Sequence, residues 1–471
     1  MLNQTLQEKY PHLEIRVLKL SEVQKDNESK RIDSEFFKKE YFDAMETMQL
    51  NQVEYLGDNM KFNSRYSQPK YDETSKIKVI NSQYIRNEYI DYENAKSGYG
   101  KIVPKESVLI NATGVGTLGR VFINILDFDF SIDSHINVIV VKNKTYLNPY
   151  FLAIFLQSYY GQIQIIRYYS GTSGQIEIYP RDFNYFKIPI FPMEFQLEIQ
   201  NLVKDSHKAL EESKELYKKA EETLYLELGL DPKNPLQSLL DSKIDHSIKS
   251  LNISIRTLKE SFLKTGRLDS EYYQSKYEDI EKFIKSYPNG YDSFSSIINN
   301  KDTNFTPKNN ENYSYIELAN IGNNGNISEP ISDLGKNLPT RARRIVSKGD
   351  VIISSIEGSL SSCALITQEF DKHLVSTGFF VLNSKLLNGE TLLVMFKSQI
   401  FQEYLKKFPS GTILCAINKE ELSKILIPKI DSTTQEKIAK YIQESFNLRK
   451  KSKQLLDNAK IKVEEQIQGK I

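Results

Sequence analysis

The sequence predicts an α+β chain, an internal duplication of two mixed α/β globular domains separated by a pair of long, antiparallel coiled-coil helices. Three observations predict it. Ser170-Gly171-Thr172, Ile188-Pro189, Gln196 and Ile199 return as Ser410-Gly411-Thr412, Ile427-Pro428, Gln435 and Ile438, and the pairs Pro189/Pro428, Gln196/Gln435 and Ile199/Ile438 share one offset of 239 residues. Short apolar–polar alternations fill most of each half, as strands do. Each half then gives way to a dense mixture of charges with apolar residues at three-, four- and seven-residue steps, as long amphipathic helices do. A repeat of this length is a whole domain rather than a solenoid unit, so the chain is a fused pseudo-dimer suited to a pseudo-two-fold target or two equivalent partners.

In chain order, Ile15-Arg16-Val17-Leu18-Lys19 and Arg31-Ile32-Asp33-Ser34-Glu35-Phe36-Phe37 come first and recur as Ile255-Arg256-Thr257-Leu258-Lys259 and Arg267-Leu268-Asp269-Ser270-Glu271-Tyr272-Tyr273. Ser107 to Ala112, Val121 to Leu126 and Ile136 to Val141 predict strands. Leu147 to Tyr159 predicts a helix, with Asn148-Pro149 at its first turn and Tyr150, Phe151, Ile154 and Phe155 at helical spacing. The second half keeps this order: a turn and strand at Lys348 to Ile353, a strand at Gly378 to Leu382, a helix at Glu390 to Phe408. From Glu194 to Leu228 there is no Gly or Pro, and the helix ends at Gly229 with Pro232 beyond. Thr433 to Ile467 is its twin. Packing the two apolar stripes on each other covers both, and about 35 residues at roughly 1.5 Å rise give a strut of about 50 Å. The expected domains are residues 1–191, a spacer helix at 192–230, a linker at 231–252, a second domain at 253–430 and a C-terminal helix at 431–471.

Composition bounds the function classes. The 62 Lys and Arg nearly balance 61 Asp and Glu, which argues against a protein coated in positive charge but leaves room for a local basic face. No apolar run reaches the ~18 residues of a membrane span, and the polar N-terminus lacks a signal-like stretch. A cytoplasmic setting with no membrane contact is expected. Two cysteines, Cys363 and Cys415, support neither a disulfide framework nor zinc, and the five scattered histidines have no metal-ligand spacing; no cofactor is expected.

The order of mixed globule, Ile-Pro step, Gln-x-x-Ile and long charged helix, done twice, resembles the specificity (S) subunit of type I restriction–modification enzymes, over nearly the whole chain. The Ser-Gly-Thr loops at Ser170 and Ser410, the steps at Pro189 and Pro428 and the Lys348-Gly349-Asp350-Val351 turn carry the resemblance. It implies a non-catalytic subunit in which each globule is a target recognition domain reading one half of a split double-stranded DNA site. It further implies that the helices dock two methyltransferase subunits and, through them, the motor-nuclease subunits. The halves depart from each other where Lys105-Glu106-Ser107 stands opposite Lys348-Gly349-Asp350, and where Ser173-Gly174-Gln175 is replaced by Ile413-Leu414-Cys415. A strut near 50 Å places half-sites between about one and two turns of B-DNA apart, at roughly 34–36 Å per turn.

Several motifs resolve as decoys. Gly114-Val115-Gly116-Thr117-Leu118-Gly119 has dinucleotide-site spacing, but such a site must open a helix and a strand-like run follows; a strand–turn–strand connection is expected. Asn148-Pro149-Tyr150-Phe151 imitates an adenine-methyltransferase motif without the accompanying cofactor-binding unit. Asp133-Ser134-His135 places three adjacent residues on an extended chain, where side chains alternate faces and cannot converge. No phosphate-binding motor loop occurs.

Basic residues interleave with tyrosines from Lys61 to Lys78, and Lys336 with Arg341-Ala342-Arg343-Arg344 forms the densest basic cluster of the globular parts; each reads either as a solvated loop or as a DNA contact. The candidate DNA contacts are Arg65, Tyr66, Lys70, Thr117, Arg120, Ser170 and Thr172 in the first half. In the second they are Lys336, Arg341, Arg343, Arg344, Ser410 and Thr412. Candidate partner-docking residues on the helices are Ile199, Val203, Leu210, Ile438, Ile442 and Phe446. The competing expectation is a duplicated interaction or scaffold protein without DNA specificity, which would lack the steep salt dependence of phosphate contacts.

Overall fold

Alternating runs pair into two four-stranded sheets and a two-stranded one in each half of the chain, and the apolar stripes of the long helices complete the cores beneath them. The computed structural model describes residues 2–171, 174–241, 255–411 and 415–470. Two units result, Met1–Glu211 with Arg449–Ile471, and Glu212–Leu448. Among the described residues no helix is long and apolar enough to cross a membrane.

The first unit carries strands β1 (Val53–Tyr55), β2 (Met60–Arg65), β3 (Lys70–Tyr71), β4 (Lys78–Ile80), β5 (Lys96–Tyr99), β6 (Val108–Asn111), β7 (Val121–Ile123), β8 (Phe130–Ile132), β9 (Ile136–Val141) and β10 (Lys187–Pro189). An antiparallel sheet runs β2-β9-β6-β7, a mixed one β3-β5-β4-β8, and β1 pairs with β10. The second unit carries β11 (Tyr291–Ser293), β12 (Ile298–Asn300), β13 (Asn312–Ile316), β14 (Ile331–Leu334), β15 (Ala342–Ile345), β16 (Val351–Ser354), β17 (Cys363–Leu365), β18 (Leu374–Ser376), β19 (Phe379–Ser384) and β20 (Leu426–Pro428). Its sheets run β12-β19-β16-β17 and β14-β13-β18-β15, and β11 pairs with β20.

The repeat is thus one of topology. The antiparallel sheets match strand for strand. In the mixed sheets the parallel pairs β4–β8 and β13–β18 correspond, as do their antiparallel neighbours β5 and β14. The fourth strand differs: β3 is added beside β5 in the first unit, and β15 beside β18 in the second.

The helix expected at Leu147 to Tyr159 is Pro149–Gln157, followed after Ser158 by a second, unexpected helix, Tyr159–Tyr168; the helix expected at Glu390 to Phe408 is two, Gly389–Lys397 and Gln399–Leu405, broken at Ser398. Both serines are extended and donate their hydroxyl back to a carbonyl three residues earlier, at 2.6 and 2.7 Å, the local competition by which Ser ends helices. Gln162 and Gln402 then cover the freed carbonyls of Leu156 and Phe396. Helical spacing alone does not reveal such a break, because the apolar face continues across it.

The long helices are Met193–Glu227, the central helix, and Ser432–Ile467, the C-terminal helix. Each unit shows them crossing antiparallel. In the first, Glu198 pairs with Lys462 at 2.8 Å and Ser206 with Ser452 at 2.9 Å. In the second, Ser213 meets Ser445 at 3.1 Å and Thr434 donates to Glu227 at 2.8 Å. The 239-residue offset maps Ser206 onto Ser445 and Ser213 onto Ser452, so the members of one buried pair are the counterparts of the other. Within the segment expected to be a linker, Pro235–Asp241 is helical and Leu239 lies in the second unit's core. Residues 242–252 of that segment lie outside the described residues.

The repeated Gln opens each long helix. Gln196 is fully buried; its Oε1 accepts from the Asn148 N–H at 2.7 Å, and its Nε2 donates to the Tyr146 and Phe191 carbonyls. Gln435 does the same with Asn388, Leu386 and Ile430. Because Asn148 and Asn388 cap the helices that follow them, one carboxamide ties helix start to globule in each unit.

Candidate nucleic-acid interface

The repeated Ser-Gly-Thr loops are held at their bases by the other repeated motif, Arg-x-Asp. Arg31 donates Nη1 to the Tyr169 carbonyl at 2.8 Å, one residue before Ser170, while Nε and Nη2 hold both oxygens of Asp33 at 2.7 Å. Arg267 reaches the Pro409 carbonyl at 2.8 Å, one residue before Ser410, and holds Asp269 at 2.7 and 2.9 Å. The hydrogen bond from Arg31 holds the Asp33 carboxyl down at about 2. Burial pushes the Asp269 carboxyl up, but the hydrogen bond from Arg267 keeps it below the usual range. Each guanidinium thus closes a short loop whose ends pair: Ser170 with Glu177, and Ser410 with Ala416. Both serines are exposed. Thr172 and Thr412 lie outside the described residues.

In the first unit the loop is bound on its other side as well. Arg65 forms an ion pair with Glu177 and donates to the Ile178 carbonyl. Its guanidinium is committed to the loop base. Glu177 also bridges Thr113, and the Gly114 N–H donates to Ile176 at 3.1 Å, so the glycine-rich turn lies against the loop. That turn joins antiparallel β6 and β7, and its three glycines, at φ of +93°, +79° and +81°, occupy the left-handed region that excludes most side chains. Thr117 donates to the Thr113 carbonyl at 2.9 Å. Arg120 bonds the carbonyls of Gly116 at 2.7 Å and Ile85 at 3.3 Å, and burial, then Arg86, lowers its basicity. Tyr66 is buried in the core between the sheets, with Lys101 4.8 Å from its ring centre. Lys70 is exposed on β3, opposite the exposed Tyr99 of β5.

In the second unit a run of backbone hydrogen bonds links the Ser-Gly-Thr loop to the arginine cluster. Ala416 bridges Ile356, Ile417 donates to Ser355, Ser355 to Gly378, and Thr377 to Arg341. Lys336, Arg341 and Arg343 are exposed. Arg344 turns inward: Nη1 donates to the Phe379 carbonyl, Nε is buried without a partner, and burial lowers its basicity. The cluster is therefore divided between solvent and core.

The helix residues expected to dock partners are placed otherwise. Ile199 and Val203 lie in the first unit's core, Ile438 and Ile442 in the second's, Phe446 packs against the latter, and Leu210 is 3% exposed. The stripe selected as apolar and available is apolar because the chain's own globules and the opposed helix cover it. Asp133, Ser134 and His135 also diverge: Asp133 accepts from the His135 N–H at 2.9 Å, Ser134 donates to Gln68 and His135 contacts Thr113.

The anchoring roles of Arg31, Arg267, Gln196 and Gln435 were not readable from residue type. Their recurrence in register was the available signal.

Residues 43–222 match the family model described as type I restriction modification DNA specificity domain. A 129-residue segment is 29% identical to the type I restriction enzyme HindI specificity subunit of Haemophilus influenzae, covering 26% of this chain and 28% of that one. The match therefore spans little more than a quarter of the relative's length. Among solved structures, the S subunit of a type I restriction-modification system from M. genitalium aligns with TM-score 0.41 and 13% identity, over 88% of this chain and 95% of that one. The HsdS subunit from Thermoanaerobacter tengcongensis aligns with TM-score 0.27 and 14% identity, over 89% and 97%.

Proposed function

We propose, from the match of residues 43–222 to the type I restriction modification DNA specificity domain model, that the chain is the DNA-recognition subunit of a type I restriction–modification complex. It reads a bipartite double-stranded site and directs two methyltransferase subunits and the motor-nuclease subunits in the cytoplasm, catalysing nothing itself. The recognition domains are residues 1–191 and 253–430, with the helices of 192–230 and 431–471 as spacers presenting their charged faces to the partners.

The observation that carries this reading is the way the two units differ. They share a frame, down to the arginine clamps beneath the Ser-Gly-Thr loops, and diverge at the added edge strands, β3 with Lys70 and β15 with Arg343, preceded by Arg341. A feature common to both units suits what is common to any two half-sites, the sugar–phosphate backbone; a feature peculiar to one unit suits its base sequence. Ser170, Thr172, Ser410 and Thr412 accordingly contact phosphates, Lys336 and Arg341 steer the second half-site, and Arg65, Thr117 and Arg120 support the loops from behind.

Methylome sequencing of host DNA with and without the gene, the partner methyltransferase being active, tests the proposal. A split motif of fixed spacing that vanishes on deletion is expected. An unchanged methylome returns the chain to the scaffold class.

A further inference from the structure

Edge strand β15, where the second unit departs from the first, carries a β-bulge. Ala342 faces Ser376 and Arg344 faces Val375, leaving Arg343 as the inserted residue. Bulges at sheet edges re-aim the side chain they insert and recur beside functional sites. Arg343 is exposed, and its Nε donates to the Thr340 carbonyl at 2.7 Å. That bond orients the guanidinium while the described residues give Nη1 and Nη2 no partner. The Arg343 carbonyl accepts from the Phe305 N–H at 2.6 Å, which pins the preceding segment against the strand. Residues 299–305 and Ile345 line a cleft of about 480 Å³, and Asn304 stands exposed on it with its carboxamide uncommitted.

We propose that this edge reads purines in the second unit's half-site, Arg343 taking a guanine and Asn304 an adjacent adenine; the inference rests on the DNA-recognition reading above. Guanine offers O6 and N7 as a pair of acceptors in the major groove, matched by two N–H groups of one guanidinium, and adenine N6 and N7 match a carboxamide. A good bidentate pair discriminates between bases by roughly ten- to a hundred-fold. Phosphate contact needs no fixed guanidinium plane. Lys336 and Arg341, exposed near the same edge without such a clamp, suit that simpler task.

The test is methylome sequencing of cells expressing the complete methyltransferase complex, nuclease subunit omitted, with the native chain, Arg343→Gln or Asn304→Ala. Glutamine holds adenine as arginine holds guanine. The expected result for Arg343→Gln is a guanine replaced by adenine, or relaxed, at one position of one half-site with the other half-site unchanged. Asn304→Ala should relax an adjacent adenine. Evenly reduced methylation at an unchanged motif would make these residues phosphate contacts and overturn the proposal, as would a native motif with no guanine in either half. Should Arg343→Gln abolish methylation, native and Arg343→Ala complexes are compared for binding to duplexes carrying 7-deazaguanine, which lacks N7, at each guanine in turn. The native complex should lose at least about ten-fold at one guanine to which Arg343→Ala is indifferent; equal sensitivity overturns the proposal. A native chain that yields no bipartite motif fails the parent reading itself, and the purine assignment with it.

Discussion

Gln196→Ala should cost the first unit about 4 kcal/mol. The side chain is fully buried and serves three backbone groups: the Asn148 N–H at 2.7 Å, the Phe191 carbonyl at 2.8 Å and the Tyr146 carbonyl at 3.1 Å. Tyr146 is exposed, so water takes over its carbonyl. The Asn148 N–H and Phe191 carbonyl are stranded, at about 1–3 kcal/mol each, and a small cavity adds to the loss. Gln196→Glu keeps the acceptor for Asn148 but sets a second oxygen against the two carbonyls. Its carboxyl is held protonated in the fold, raised above its unfolded value, so this variant's stability should fall as pH rises through the unfolded carboxylate range. A chain of two units need not unfold in one step, so the assay is hydrogen exchange by mass spectrometry under mild denaturant. Peptides covering 148–157 and 388–397 report the units separately. A loss under about 1 kcal/mol, or an equal loss in the 388–397 peptides, would refute the claim that this carboxamide ties the helix start to its own globule.

Further expectations follow from the cores and clamps. Ile438→Ala, at a fully buried position of the second core, should cost about 2–5 kcal/mol, read as a lower denaturant midpoint for peptides of that unit alone. The Arg31–Asp33 clamp lowers the Asp33 carboxyl to about 2 from an ordinary 3.8, so its contribution is complete above about pH 4 and is lost as pH falls toward 2. Exchange protection of residues 159–171 should fall over that window, and Asp33→Asn should flatten the dependence. Gly171→Ala should lower methylation by the assembled complex about ten-fold or more with little change in melting, because a Cβ at φ +116° would collide with the Gln175 carbonyl and rebuild an exposed loop. Unchanged methylation would detach that loop from recognition.

The duplication, the long helices and several strands were legible because they rest on periodicity and register. The run at Ile136 to Val141 is a strand over those same residues, and the central helix differs from its expected span by one residue at each end. The break at Ser398 was hidden because the apolar face continues through it, and the helix Tyr159–Tyr168 was not foreseen. The candidate contacts were less legible, because residue type does not say where a long side chain spends its hydrogen bonds. Arg343 and Arg344 are indistinguishable as letters, yet one faces solvent and the other a carbonyl. Likewise the helix stripe of Ile199 and Ile438 was correctly read as apolar, but what covers it depends on partners hundreds of residues away in sequence.

The placement of β3 and β15 at sheet margins bears on how such a molecule can change its mind. A strand paired with only one neighbouring strand can exchange its exposed side chains without disturbing the layers behind it, whereas the arginine clamps and the Gln-tied helix starts recur in both units. Variation at the rim of each unit is thereby separated from the frame that the two units share. Under the function proposed above, one half could drift toward a new DNA word while the other keeps its old one, with the helix faces left as they are.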